Sequence, residues 1–485
     1  MKFLKTASFI LALTLSFTAC QNENNSAGAE ASNLNAESEG TSFVVDGAIV
    51  DDEGRSVSVE KPFERIISLY SAHTENLYYL GAGDKIIGGH KTCVYPAEAA
   101  SKASFDYNGD PEYIIAADPD LVIIRPFISK KAPELVKALE TAGIQVASFY
   151  PESYDEFPDY IRRLSLLVGK EEEAEKQLAK FDSHIESIKE AVKDIEDKQT
   201  VFFESTETNL RTAAKDSMPD IAIRYAGGIN IAEGLEPVSP GSSIASFGVE
   251  RVLENADNID VYVSQRGAMN AGGSVKAITE RPGFDSIKAV ADNRIFVINE
   301  KIISSPTFRY YKGVKEIARY LYPEKMDDVS QLYNDEPATN ESFAEIVVKM
   351  SHAPIYIPSS SKYYQEEKSG HYFGKFEDVS FKDDSFDFIE TAVCRGLIPY
   401  ETKDGKDYFN PERNVSRDVL AKTVFLMGNF KNNDKNIPIE DIKLCENEKI
   451  VSVLVDNGVF ALNEGRFEPQ RTVTNKEIID ALKNI

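Results

Sequence analysis

A chain of 485 residues, 42% of them hydrophobic, has enough apolar material for a sizeable core and for two to four domains. Its formal charge of −25 argues against nucleic acid or an anionic lipid surface as partner for the body of the protein, since both would repel it. Of the cysteines, Cys20 closes a leader, and Cys93, Cys394 and Cys445 form neither an even disulfide framework nor a zinc-like spacing.

Lys2 and Lys5 precede an apolar run, residues 7–17, that is too short to span a bilayer. Small residues then lead into cysteine, as Phe17-Thr18-Ala19-Cys20. Residues 1–20 resemble a bacterial lipoprotein signal, although Phe17 stands where leucine is usual. The resemblance implies lipid on Cys20 and anchorage to the bacterial cell membrane. The alternative is ordinary secretion with cleavage after Ala19, and either route puts the mature protein outside the cytoplasm. Residues 21–42 are small and polar, cannot bury enough surface to fold, and read as a flexible tether.

From residue 43 to 169 the pattern alternates between strand and helix. Residues 44–59 suggest a hairpin turning near Asp52, Glu53 and Gly54. Residues 65–70, 121–124 and 144–149 read as strands, and residues 74–80, 112–117 and 133–142 as helices. Such alternation predicts a parallel sheet with helices on its faces.

Residues 170–198 place Ala174, Leu178, Phe181, Ile185, Ile188, Val192 and Ile195 at steps of four and three, one apolar stripe on a charged helix. A surface helix or a short coiled coil would show the same stripe. After it, residues 199–324 repeat the earlier plan: strands at 200–204, 260–264 and 294–298, helices at 220–226 and 250–255. The echo is clearest between PEYIIAADPDLVII and VERVLENADNIDVYV. The expected fold is therefore α/β, two lobes joined by one rigid helix, with ligand at the carboxyl ends of the strands.

SLYSAHTENLYYLGAGDKIIG, GDPEYIIAADPDLVII, LVKALETAGIQVASF and SSPTFRYYKGVKEIARYLYPE resemble the substrate-binding proteins of ABC importers for iron-siderophores, haem and cobalamin. The likeness spans residues 62–324 and implies an ABC permease as partner. It implies Tyr70, Tyr107, Arg125, Arg211, Arg266 and Arg309 as ligand-binding candidates. Arginine suits anionic oxygens through its fork, and tyrosine offers a flat face with a polar tip. It further implies that Glu112 and Glu250, one per lobe at a helix start, dock onto the permease. A carboxylate there also gains from the helix dipole, whatever else it does.

The histidines are too scattered to capture a bare metal: His73 and His90 lie in the first lobe, His184 on the connecting helix, His352 and His371 beyond. His73 reads as part of its turn. No GxSxG, HExxH or P-loop marks an enzyme. No cofactor is expected beyond lipid on Cys20, with metal entering only inside the transported chelate.

Residues 325–338 are charged and read as a linker. Within residues 339–485, the segments from Phe376-Glu377-Asp378-Val379 to Val415-Ser416-Arg417 and from Ile439-Glu440-Asp441-Ile442 to Val473-Thr474-Asn475 align at an offset near 60, a repeat. They resemble S-layer homology repeats, which implies an anionic cell-wall polymer as a further partner. Residues 339–350 are the remnant of a first copy without its front half. A helical accessory domain is the alternative. The function expected is a lipid-anchored importer binding protein; the competing reading is a cell-envelope structural or adhesion protein.

Overall fold

The computed structural model describes residues 43–239, 242–356, 373–431 and 435–485. Cys20, the leader, the tether and His371 lie outside the described residues. The hairpin pairs β1 (Ala48–Val50) with β2 (Ser56–Ser58). The Asp51 carboxylate accepts from Arg55 N at 2.8 Å, Arg55 Nε at 2.9 Å and Ser148 N at 2.9 Å, which ties the hairpin to the first sheet.

Strands covered by helices on both faces must be apolar on both, as β3 (Ile66–Ser68) and β6 (Leu121–Ile124) are. With β4 (Ile86–His90), β5 (Ala103–Phe105) and β7 (Gln145–Ser148) they form a five-stranded parallel sheet in the order β5-β4-β3-β6-β7. In the second lobe, β9 (Arg211–Ala213) pairs antiparallel with β11 (Ile244–Ser246). The parallel sheet there contains β8 (Thr200–Glu204), β10 (Ile229–Asn230), β12 (Val261–Arg266) and β13 (Ile295–Asn299), ordered β10-β8-β12-β13. The α/β class and its parallel-sheet lobes are thus those expected.

The connecting helix is Glu171–Val192, about 33 Å long and shorter than the 170–198 stretch read from periodicity. Beyond Val192 the chain turns to enter β8. Its stripe is buried within the chain, against helices Phe157–Val168 and Tyr310–Leu321, so it is neither a coiled coil nor a plain surface helix. Helix Phe157–Val168 went unread in the sequence although its apolar positions are regular; Gly169, with φ 65°, ends it and lets the connecting helix start in a new direction.

Residues 325–338 are not a free linker. Asp327 is buried, paired with Arg319 Nε at 2.7 Å and with His352 Nδ1 at 2.9 Å. An acidic, polar stretch looks solvated in sequence, but its partners come from elsewhere in the chain.

The C-terminal region closes into a ring. Helices Asn340–Met350, Arg417–Met427 and Asn475–Lys483 are capped by Thr339, Ser416 and Thr474, whose side chains accept from Ser342 N, Val419 N and Glu477 N. Just before the caps, Ala338 N donates to Val473 O at 2.9 Å, Val473 N to Val415 O at 3.0 Å, and Val415 N to Ala338 O at 2.9 Å. Each of these segments donates to one neighbour and accepts from the other, a cyclic arrangement. Asp378 accepts from Phe409 N and Asn410 N, and Asp441 likewise from Phe467 N and Glu468 N, so in each of the two fuller copies one carboxylate staples two loop segments together. The first copy has only its rear helix. Tyr333, just upstream, lies against the last helix, with Lys483 4.8 Å from its ring and Asp480 3.3 Å from its hydroxyl. Beta strands β14 (Glu401–Lys403) and β15 (Lys406–Tyr408) form a small hairpin within the second copy.

Candidate functional site

The parallel strands of each lobe deliver their carboxyl ends to loops, where open α/β sheets bind ligand. In the first lobe Tyr70 follows β3, Arg125 follows β6 and Tyr150 follows β7. They meet: the Arg125 guanidinium lies 4.6 Å from the Tyr70 ring, 5.9 Å from Tyr150 and 5.0 Å from the exposed Phe127. A cation among aromatic faces is held without a counter-ion. Burial pushes the Tyr70 phenol well up, so it stays protonated. Tyr107 does not join this group. It lies tilted against His90, ring centroids 5.3 Å apart, beyond β5 at the sheet edge.

His73 is structural. A carbonyl can only accept, so Nε2 carries the proton and donates to Ile124 O at 2.9 Å, while Nδ1 accepts from the Tyr160 hydroxyl at 2.7 Å. Burial pulls its pKa down to about 3, so the ring is neutral. It stands edge-on to Tyr70 at 5.1 Å and fixes that ring.

The lobes are tied to each other. Lys301 Nζ donates to Ser71 Oγ at 2.8 Å, Asn76 Nδ2 to Pro306 O at 2.9 Å, and Phe308 N to Asn76 Oδ1 at 3.2 Å. Arg309, expected to touch ligand, is 2% exposed and forks onto Glu75 at 2.9 and 2.7 Å, with Tyr95 3.7 Å from its guanidinium carbon. It joins the lobes instead of presenting itself to the gap, because the buried Glu75 carboxylate has to be neutralised.

In the second lobe Glu204 organises the loops. At the end of β8 and 0% exposed, it accepts from Tyr262 Oη at 2.5 Å, Asn270 Nδ2 at 2.9 Å, Ser264 Oγ at 3.0 Å and the Arg281 guanidinium. Burial raises its pKa, but these donors outweigh that and hold the carboxyl below its usual range. Asn270 passes the order on, accepting from Glu207 N at 3.0 Å and donating to Gln265 O at 3.0 Å. Gly273 is required here, since a Cβ would come within 2.7 Å of Ser264 Oγ. Arg211, half-exposed at the start of β9, and Arg266, exposed at the end of β12, flank the loops so held. Neither they nor Arg125 pairs with a carboxylate among the described residues.

Glu112 and Glu250 are exposed in the first turns of helices Glu112–Ala116 and Val249–Glu254, beside Tyr113 at 74% and Val249 at 45% exposure. Sequence reading missed Tyr150, Phe127, Glu75, Glu204 and Asn270. Tyr150, directly after a strand, carried the same signal as Tyr70; the buried acids carried none. No group of three or more His, Cys, Asp or Glu residues that could hold a metal occurs among the described residues, nor is any helix there long and apolar enough to cross a membrane.

Two α/β lobes on a rigid helix, with loops at the strand ends, define a substrate-binding protein. A periplasmic binding protein family model matches residues 66–302. A vitamin B12-binding protein of Vibrio campbellii is 30% identical over 263 residues, 53% of this chain and 90% of that protein. The uncharacterized ABC transporter substrate-binding lipoprotein YvrC of Bacillus subtilis is 26% identical over 281 residues, 57% of this chain and 85% of that protein. Among solved structures, a Staphylococcus epidermidis protein described as a possible iron-binding (periplasmic solute-binding) protein is 27% identical, covering 54% of this chain and 99% of that one, with a TM-score of 0.47. The chain belongs to the periplasmic binding protein family.

Proposed function

We propose that this protein is the extracytoplasmic, lipid-anchored substrate-binding component of an ABC importer, which captures a ferric siderophore, haem or corrinoid and delivers it to the permease. The observation that carries this reading is a cluster of aromatic rings and cations at the strand ends. Arg125 sits among Tyr70, Tyr150 and Phe127, and the second lobe carries Arg211 and Arg266 at strand termini, on a chain that is otherwise acidic. Flat aromatic faces suit a bulky chelate, and unpaired guanidiniums suit its anionic oxygens. Metal arrives inside the chelate, lipid on Cys20 is the covalent addition, and the protein does no chemistry. The chain has no Trp and 22 Tyr, so tyrosine quenching reports binding. Titrated with ferric siderophores, haem and cobalamin, with absorbance corrected, it gives saturable submicromolar binding to one class. Failure with all of them overturns the cargo assignment.

Glu112 and Glu250 dock the two lobes onto the permease, each beside an exposed apolar residue that adds contact area. The double variant Glu112→Ala, Glu250→Ala keeps ligand binding and loses at least tenfold of uptake in cells. Undiminished uptake removes the docking role.

The C-terminal ring supports a second reading, retention on an anionic cell-wall polymer. The cyclic repeat favours it, but Arg417, directly after the Ser416 cap, is 8% exposed and spent on Phe467 O at 2.8 Å and Ala461 O at 2.7 Å. Co-sedimentation of the full chain with purified cell wall distinguishes this reading from a purely accessory role.

A further inference from the structure

The C-terminal ring follows the second lobe in sequence, so contacts with that lobe are an ordinary consequence of the join. Its contacts with the first lobe are not. Phe381 packs edge-on against Tyr79, centroids 5.2 Å apart, and against Tyr95 at 5.9 Å. Gly374 approaches the same lobe so closely that a Cβ there would lie 3.3 Å from the Ala97 Cβ. The connecting helix is held as well: Lys180 Nζ reaches Asp384 Oδ1 at 2.8 Å and Lys382 O at 3.0 Å, and Lys382 pairs with Glu173 at 3.4 Å. On the second lobe, Lys312 Nζ meets Asp387 Oδ2 at 2.8 Å with both groups largely buried, and Lys315 lies 5.1 Å from the Phe388 ring.

One short stretch, residues 373–388, therefore touches the first lobe, the connecting helix and the second lobe together. Any rotation of one lobe against the other must withdraw Phe381 from its aromatic seat or break the buried Lys312–Asp387 pair. Packed contacts of this kind switch between discrete arrangements and do not stretch. We propose that the C-terminal ring is a brace that sets the angle between the lobes, over and above the rigid helix. Binding at the ring and opening of the cleft are then mechanically linked.

The test is the distance between lobes, which needs no ligand. Nitroxides go on Glu140→Cys and Asp257→Cys, exposed positions one on each lobe, in the full chain carrying Cys20→Ser; the other thiols are buried. Double electron–electron resonance on this chain gives one narrow distance. Adding Phe381→Ala with Asp387→Asn at least doubles the width or shifts the maximum, while the far-ultraviolet circular dichroism of the folded lobes is retained. An unchanged distribution overturns the brace. If the double variant does not fold, Phe381→Ala alone removes only the aromatic contact with Tyr79 and Tyr95 of the first lobe and is read the same way.

Discussion

Replacing Arg309 with Met lowers folding stability by about 3–5 kcal/mol, the cost of leaving one member of a buried ion pair without the other. Glu75 accepts both arms of the guanidinium and is itself 2% exposed, so the variant leaves a desolvated carboxylate with no counter-charge. The two residues are 234 positions apart and belong to different lobes, so the loss also loosens the lobe contact. Changing Glu75 to Gln along with Arg309 to Met recovers part of the loss, because the double variant buries no charge. Urea unfolding of the full chain measures both, and a double-mutant cycle isolates the coupling. A single-variant loss under about 1 kcal/mol is what a solvated surface pair would give, and contradicts a closed one.

The second large effect is at Glu204. Glu204→Gln keeps the shape but turns an amide nitrogen toward groups that all donate, at a cost of roughly 2–4 kcal/mol. Ligand binding falls with it. Loops 205–212 and 265–273 lose their common anchor, and Arg211 and Arg266 must then be ordered at binding, which weakens affinity by about tenfold or more. The pH dependence carries the sign. The native carboxyl lies below its ordinary value of 4.5, so its ionised form adds stability that is complete above that value and is lost as pH falls through the lower native pKa. Glu204→Gln lacks this component, so its stability falls less steeply below about pH 4.5. Thermal melts between neutral and acid pH compare the two curves. Parallel curves would mean that Glu204 does not carry the charge that holds the loops.

Much of the fold was legible because it is written in local periodicity. The stripe from Ala174 to Val192 and the doubly buried runs at Ile66–Ser68 and Leu121–Ile124 name their elements without knowledge of partners. The site was legible only in part. Tyr70 and Arg125 follow strands, and position after a strand is a local signal; the structure places them 4.6 Å apart. Arg309 carried the same residue type yet is buried, since whether an arginine faces a gap or a carboxylate depends on what the other lobe brings.

By itself, the sequence determined the two-lobed α/β plan, the rigid joint and the repeated C-terminal segments, all set by which side chains recur at helical or strand spacing. Only the tertiary structure decided that Glu75 meets Arg309, that Glu204 gathers donors from 58 to 77 residues away, and that Ala338, Val415 and Val473 close a ring lying against both lobes. Those are pairings of buried charge and unspent backbone groups. Each is decided by which partner the completed fold makes available, and no run of neighbouring residues records that.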